Sequence, residues 1–512
     1  MRQFFLSATI CTIICIPQAN EIYAQGGHQP PESRNIQPVR QERMQEEYPL
    51  TLEEAAAILQ LNNNAIKISR NTVESAKARK QQLGSTWYPT IVATGGYMHF
   101  SNNISADANV GELTQSIAGN LPESIKGLEQ IISQLIPQFQ QIITSIGGAT
   151  ISVPLIGQDV TTLDAAAIWP IITGGKRIYA GRIGKGLVEA AEHLNTLTCN
   201  AQMALMINAY YTLKLSCKVE QMQHENLQYI NQLHRNASRL LQEGFINKAE
   251  FLVVQVAKDE AAREYASARQ NRQVAADALN AILGTRLTNA IPQGNFFVLD
   301  SLPDSNTLNE RILQNNAQLK ILAAQQDILE NKVKIAKSNY IPDIAFFARQ
   351  NIHSGNIPKN LIPRTVVGVA MQWELFNGFA REKEIKISSL EQEQLQSTYT
   401  QAENDLLTAA LALRGMMSDA SYNIQTLQQT ILLAKELLRE REKSFAAGMC
   451  TSTDIVAART TLTKAGTALE MAGWQYCTSL AALLALESDT GKFIQLHNTS
   501  GIPISGRQMD KN

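Results

Sequence analysis

The sequence predicts a mainly α-helical chain with a small transmembrane β portion, written as two internal repeats. Three observations carry this prediction. First, the stretch 169–177 (Trp-Pro-Ile-Ile-Thr-Gly-Gly-Lys-Arg) returns as 373–381 (Trp-Glu-Leu-Phe-Asn-Gly-Phe-Ala-Arg), 204 residues later. A fixed offset of this kind marks duplication. Second, each copy contains a proline-free stretch of about 66 residues, which as helix is on the order of 100 Å long at about 1.5 Å per residue. Third, short segments near the repeated motif alternate large apolar with small or polar residues, the period of a strand with two different faces.

Each copy reads in one order: helix, strand, loop, strand, very long helix, tight turn, returning helix. The first copy predicts helix over 52–83, strands over 89–100 and 162–173, the long helix over 177–242 and the return over 248–283. The second predicts helix over 308–338, strands over 342–352 and 365–376, the long helix over 380–447 and the return over 453–487. Pro89 and Pro342 differ by 253, so the first copy holds 49 more residues between these landmarks. They lie in an insertion at about 101–160, where Leu128, Ile131, Ile132, Leu135 and Ile136 have helical spacing. In domain terms, residues 51–287 form the first repeat, 288–304 a linker, 305–487 the second repeat and 488–512 a flexible tail.

The long helices carry a seam at spacings of three and four. It reads Leu187, Ala191, Leu194, Thr198, Ala201, Leu205, Asn208, Thr212, Leu215 and Val219 in the first copy. In the second it reads Leu395, Tyr399, Ala402, Leu406, Ala409, Leu413, Met416 and Ala420. Small residues in the seam suit close helix approach. The strands carry the other pattern. Val367, Val369, Met371, Trp373 and Leu375 alternate with Val366, Gly368, Ala370, Gln372 and Glu374. In the first copy Leu163, Ala165, Ala167, Trp169 and Ile171 share a face, with Ile168 and Ile172 blurring the contrast. Trp87, Tyr88, Trp169, Tyr340 and Trp373 stand beside the strand–helix junctions, where a membrane-interface aromatic belt belongs. A half-buried soluble sheet would alternate in the same way.

If these strands lie in lipid, the sheet must close, because every backbone N–H and C=O there needs a partner. Two copies supply four strands, and barrels begin at about eight. Several chains must then share one barrel, and three would supply twelve strands.

Bulk properties exclude some classes. The 512 residues carry 45 basic and 46 acidic side chains, so no basic surface recommends nucleic acid as a partner. Arg2, an apolar run over 4–16 and a small residue at Ala24 describe an export signal over 1–24, followed by a linker over 25–50. Cys11 and Cys15 lie in that signal. Cys199 and Cys217 on one helix stand roughly 27 Å apart at about 1.5 Å per residue, too far for a disulfide. No cofactor is implied. Gly174-Gly175-Lys176 lacks the glycine spacing of a phosphate loop. His193, His224 and His234 lack the spacing of a metal pair. Catalysis finds no support.

At this point the chain resembles the TolC-like outer-membrane efflux proteins over about 52–487. The resemblance rests on the duplicated aromatic–strand–glycine segments and on two hairpin tips, at Gly244 and Gly448, again 204 apart. It implies a long α-helical barrel in the periplasm and a shared twelve-stranded β-barrel in the outer membrane, built by a homotrimer. It also implies outer-membrane lipid as surroundings, and a periplasmic adaptor and inner-membrane pump as partners of an efflux or type I secretion duct. Acidic residues past the tip line the family's periplasmic entrance; Asp454 occupies that place after Gly448, and Glu250 the matching place after Gly244. The family's second acidic position is Ala457 here, and the tip partners Phe445 and Cys450 also depart from the best-known pattern.

Each candidate has a plainer structural role. Asp454 can close a capping box with Thr451 at a helix start, and Glu250 can be an ordinary exposed helix residue. Gly244 and Gly448 can simply end helices in the left-handed conformation, whereas the family implies that the tips, with Phe245 and Met449, form the rim for adaptor docking. The rival reading is a periplasmic coiled-coil adaptor or scaffold, which would share the rods and lack membrane strands; a secreted enzyme is a third.

Overall fold

A computed structural model describes residues 48–101, 104–106, 153–357, 363–499 and 502–504. The expected signal (1–24), residues 25–47 after it, Cys11, Cys15 and the apolar run at 128–136 lie outside these residues. The first repeat comprises α1 (Leu52–Asn62), α2 (Asn64–Gly84), β2 (Thr90–His99), β5 (Asp159–Thr173), α3 (Lys176–Gln242) and α4 (Lys248–Leu283). The second comprises α5 (Ser305–Asn315), α6 (Ala317–Ser338), β8 (Asp343–Gly355), β9 (Thr365–Gln372), α7 (Ala380–Ala446) and α8 (Ser452–Leu486). Around the insertion, β3 (Ile104–Ala106) pairs with β4 (Val153–Ile156).

The incoming helix of each repeat is two helices, not one. Asn63 and Asn316, 253 residues apart, adopt extended ψ and restart the helix. The Asn63 side-chain oxygen accepts the Ile66 N–H at 3.1 Å, and its amide donates to the Ile282 carbonyl at 2.9 Å. The Asn316 oxygen accepts from Gln318 and Leu319, and its amide donates to the Leu486 carbonyl at 2.9 Å. One residue type thus caps a new helix and ties it to the end of the returning helix.

The long helices run 67 residues each. Their seams differ in part from the expected ones. On α7 the buried positions from 402 on are 402, 406, 410, 417, 420, 424, 434 and 438, with 409, 413, 427 and 431 among the half-buried ones. Ala402, Leu406, Ala409, Leu413 and Ala420 keep their places, Ala410 joins them, and Met417 replaces the exposed Met416. From 406 on the pattern repeats every seven residues, at 406, 413, 420, 427 and 434 and at 410, 417, 424, 431 and 438, the period of a helix that keeps its seam by left-handed supercoiling. On α3 the expected Leu194 and Leu205 are exposed, and Met203, Met206, Ile207, Tyr210, Tyr211 and Leu213 take the buried face. There the larger apolar volume decides the helix rotation, because burying it removes more area from water.

Two stretches expected to be linker and tail are core. Between the repeats, β6 (Ala290–Pro292) lies parallel to β1 (Tyr48–Leu50), and β7 (Phe297–Val298) pairs antiparallel with β10 (Ile502–Pro503). The supposed flexible tail forms α9 (Gly491–Thr499). Phe493 from α9 meets Tyr211 and Phe297 edge-on at 5.8 and 5.5 Å, and Phe296 packs on Tyr211 at 5.5 Å. All four rings are buried, and each contributes about 2 kcal/mol or more of transfer free energy. Burial pushes the Cys477 thiol in this core up to about 12, which makes it an inert packing group. Cys199, Cys450 and Cys477 are free thiols.

Four strands form one antiparallel sheet in the order β2-β5-β8-β9. β9 ends at Gln372, so Leu375 and Phe376 belong to the turn that follows it. Pro170 sits at a register shift in β5, a place where a residue without an N–H does least harm to the ladder. β2 and β9 each keep one unpaired edge. Among the described residues no helix is long and apolar enough to cross a membrane.

Candidate functional site

The sheet has two chemically different faces. Directly paired residues on neighbouring strands share a face, so the register sorts the side chains. One face carries Ile91, Trp169, Phe346, Val367, Val369 and Met371. The opposite face carries Thr90, Thr94, Asp164, Arg349, Asn351, Gly368 and Gln372 alongside the apolar Val92, Ile168, Phe347 and Val366. On it Arg349 grips the buried Asp164 carboxylate with two N–H groups, at 3.2 and 2.9 Å, and Asn351 donates to the same carboxylate at 3.0 Å. A charged, fully bonded triad on one face and bare aliphatic side chains on the other suit a wall between water and lipid. This triad was not anticipated: Asp164 and Arg349 are 185 residues apart, and only the register brings them together.

At the base of the strands each repeat builds the same clamp. The Trp169 indole N–H donates to the Trp87 carbonyl at 3.0 Å, and the Trp373 indole to the Tyr340 carbonyl at 3.2 Å. Arg177 lies over the Trp87 ring at 4.4 Å, and Arg381 over the Tyr340 ring at 3.9 Å. The Arg381 guanidinium also donates to the Asn339 and Glu374 carbonyls. Four of the five expected belt aromatics are therefore tied into strand–helix junctions while half of each ring surface stays open. Tyr88 is the most exposed of the five and has no part in a clamp. The arginines close the repeated motif in the sequence, and their clamping role becomes visible only when entry and exit of the strand pair meet in space.

At the other end, both hairpin tips close with one pair of bonds. After α3, Phe245 N–H donates to the Leu240 carbonyl and Gly244 N–H to that of Leu241. After α7, Met449 N–H donates to Ser444 and Gly448 N–H to Phe445. Gly244 and Gly448 have φ of 78° and 71°, the left-handed closure that favours glycine. The returning helices start on Asn247, which accepts from Glu250 N–H at 2.9 Å, and on Thr451. The Asp454 carboxylate accepts the Thr451 N–H at 2.9 Å and the Thr451 hydroxyl at 2.7 Å. These bonds, from the Thr451 backbone first and its side chain second, hold the Asp454 carboxyl below its ordinary value. Phe245 and Met449 project from the tips, 75% and 76% exposed. Behind them Ile230, Leu233, Ala237, Val254, Leu438, Ile455 and Ala458 join the hairpins in one apolar cluster. Tyr229 of α3 donates to Glu442 of α7 at 2.7 Å under the guanidinium of Arg459 from α8. Among the described residues no His, Cys, Asp and Glu group is arranged to hold a metal ion.

This fold is that of outer-membrane channels of the TolC type. Three solved structures show the likeness: the outer membrane channel CmeC of Campylobacter jejuni, the outer membrane protein VceC of Vibrio cholerae, and CusC. CmeC is 15% identical with a TM-score of 0.67, over 88% of this chain and 89% of its own. VceC is 14% identical with a TM-score of 0.66, over 86% and 96%. CusC is 13% identical with a TM-score of 0.68, over 90% and 99%. No curated protein sequence matches the chain. The family model described as outer membrane efflux protein matches residues 308–487, the span of the second repeat.

Proposed function

We propose that this chain is the outer-membrane channel component of a tripartite efflux or type I secretion system, conducting substrates passively from a periplasmic adaptor and inner-membrane pump to the outside. One observation carries the proposal. A four-stranded sheet with an apolar face, a charged face and two open edges runs directly into 67-residue helices. Such a sheet cannot satisfy its own edges in lipid, so copies of the chain complete it, and three copies give a twelve-stranded barrel. The face with Asp164 and Arg349 then lines water, and the helices continue the duct on the periplasmic side. The solved structures support the reading by their fold, and two of them, CmeC and CusC, are described as channels.

In this assembly the tips form the periplasmic end. Gly244, Phe245, Gly448 and Met449 make the rim that an adaptor grips, and Asp454, with Glu250, supplies carboxylates at the aperture, where repeated acidic groups attract cations.

The test is reconstitution. Purified protein in planar bilayers should conduct ions, and the native protein should stay with outer membranes through salt and alkaline washing. A protein released by those washes, and silent in bilayers, would be a periplasmic scaffold instead. Block by trivalent cations applied from the helical side should weaken in Asp454→Ala; unchanged block would remove Asp454 from the aperture.

A further inference from the structure

The two repeats differ at one place where the chain itself supplies a control. In the first, the exit turn after β5 packs against the entry of the next repeat, within the same chain. A Cβ on Gly174 would meet the Ser338 carbonyl at 2.7 Å and Ile341 at 3.2 Å, and Lys176 is paired with Asp343 at 2.8 Å. The exit turn of the second repeat has the same backbone. Gly378 and Phe379 have φ of 70° and 66°, where Gly174 and Gly175 have 58° and 88°. Yet a Cβ on Gly378 would meet nothing within 4 Å.

This turn is also the more apolar one. Leu375, Phe376 and Phe379 are 70%, 71% and 63% exposed. Phe379 holds a left-handed backbone that the first repeat gives to glycine, and for a bulky residue that conformation is strained. The surface the turn lacks exists elsewhere in the chain. Ser338 and Ile341 correspond, 253 residues earlier, to Ser85 and Tyr88. Tyr88 is 72% exposed and Ile91 74%, and β2 beside them has an open edge.

We infer that Leu375, Phe376 and Phe379 pack on Ser85, Tyr88 and Ile91 of the partner subunit, so that the contact between copies repeats the contact between repeats. The inference rests on the oligomeric reading above and adds a register to it. Ile172 faces Ile344 and Trp169 faces Phe346 inside the chain. Moved by the two repeat offsets, Phe376 faces Ile91 of the partner subunit and Trp373 faces Ala93 of the partner subunit. Tyr88 is thereby assigned to the subunit contact, not to the lipid-facing belt.

The experiment is oxidative cross-linking of the full chain in detergent, with native mass measured in parallel. Phe376→Cys with Ile91→Cys forms the test pair, and Ile172→Cys with Ile344→Cys forms the control at the equivalent place within the chain. Each single variant accounts for the native thiols. The inference expects the test pair to convert most of the protein to covalent dimer and trimer, while the control bridge stays within one chain. An oligomer in which the control bridge forms and the test bridge does not overturns this contact and leaves the channel reading standing, with the turn facing lipid. A monomer by native mass overturns both.

Discussion

At the residue scale, Arg381 and Asp454 show how much depends on side chains that serve two partners. Arg381 bonds two carbonyls and covers the Tyr340 ring, so Arg381→Ala removes two hydrogen bonds and a cation–π contact, about 2–3 kcal/mol together. Thermal unfolding should fall measurably, and Arg381→Lys should recover only part of the loss, because lysine lacks the planar fork. Asp454 closes the box that starts α8, and its folded pKa lies below the ordinary 3.8. A depressed carboxyl stabilises the fold fully above the unfolded value and loses that contribution as pH falls through the folded one. The start of α8 should therefore keep its amide protection from neutral pH down to about pH 4 and open only in stronger acid, whereas Asp454→Asn should show no such acid transition; hydrogen exchange of residues 452–456 reads both. Asp454 was legible in the sequence because a capping box is local. The Asp164–Arg349–Asn351 triad was not, because nothing short-range links its members.

Among the elements, the asparagine breaks stand out. Asn63 and Asn316 each end one helix, start the next and anchor a returning helix. Asn316→Ala loses the cap and leaves the Leu486 carbonyl without its side-chain donor, at about 1–2 kcal/mol. The expected result is a lower midpoint in denaturant with an unchanged slope; Asn316→Asp, which keeps the acceptor, should cost less. The residues stood in plain view as Asn62-Asn63-Asn64 and Asn315-Asn316, but helical periodicity on both sides masked a break that changes direction without changing composition. The long helices were legible because 67 residues without proline allow few alternatives. Their seams were less so: Met416 and Met417 fit the same three- and four-residue spacings, and a one-residue error in phase turns the buried face without changing the period.

For the whole molecule, the repeat order, the sheet and the hairpin tips followed from duplication, since each landmark occurs twice. The aromatic core did not. Residues 288–304 and 488–512 have no repeated counterpart and read as a linker and a flexible tail, yet Phe296, Phe297 and Phe493 complete a shared aromatic core. Deleting residues 491–512 empties the Phe493 site, a loss of about 3–5 kcal/mol for one buried ring. The truncated chain should be far more open to proteolysis around Tyr211 while retaining helical circular dichroism. Resistance equal to that of the full chain would mean that the aromatic core stands without α9.

The equal length of α3 and α7 has a further consequence. One apolar cluster joins the two hairpins at matched distances from their glycines: Val254 stands ten residues past Gly244, and Ala458 ten past Gly448. A turn inserted into α7 alone would displace one tip by about 5.4 Å and set that cluster out of phase. Rod length is therefore a ruler that can be reset only by matched changes in all four rods. A homologue spanning a wider gap should add whole turns in both repeats at once, and never in one.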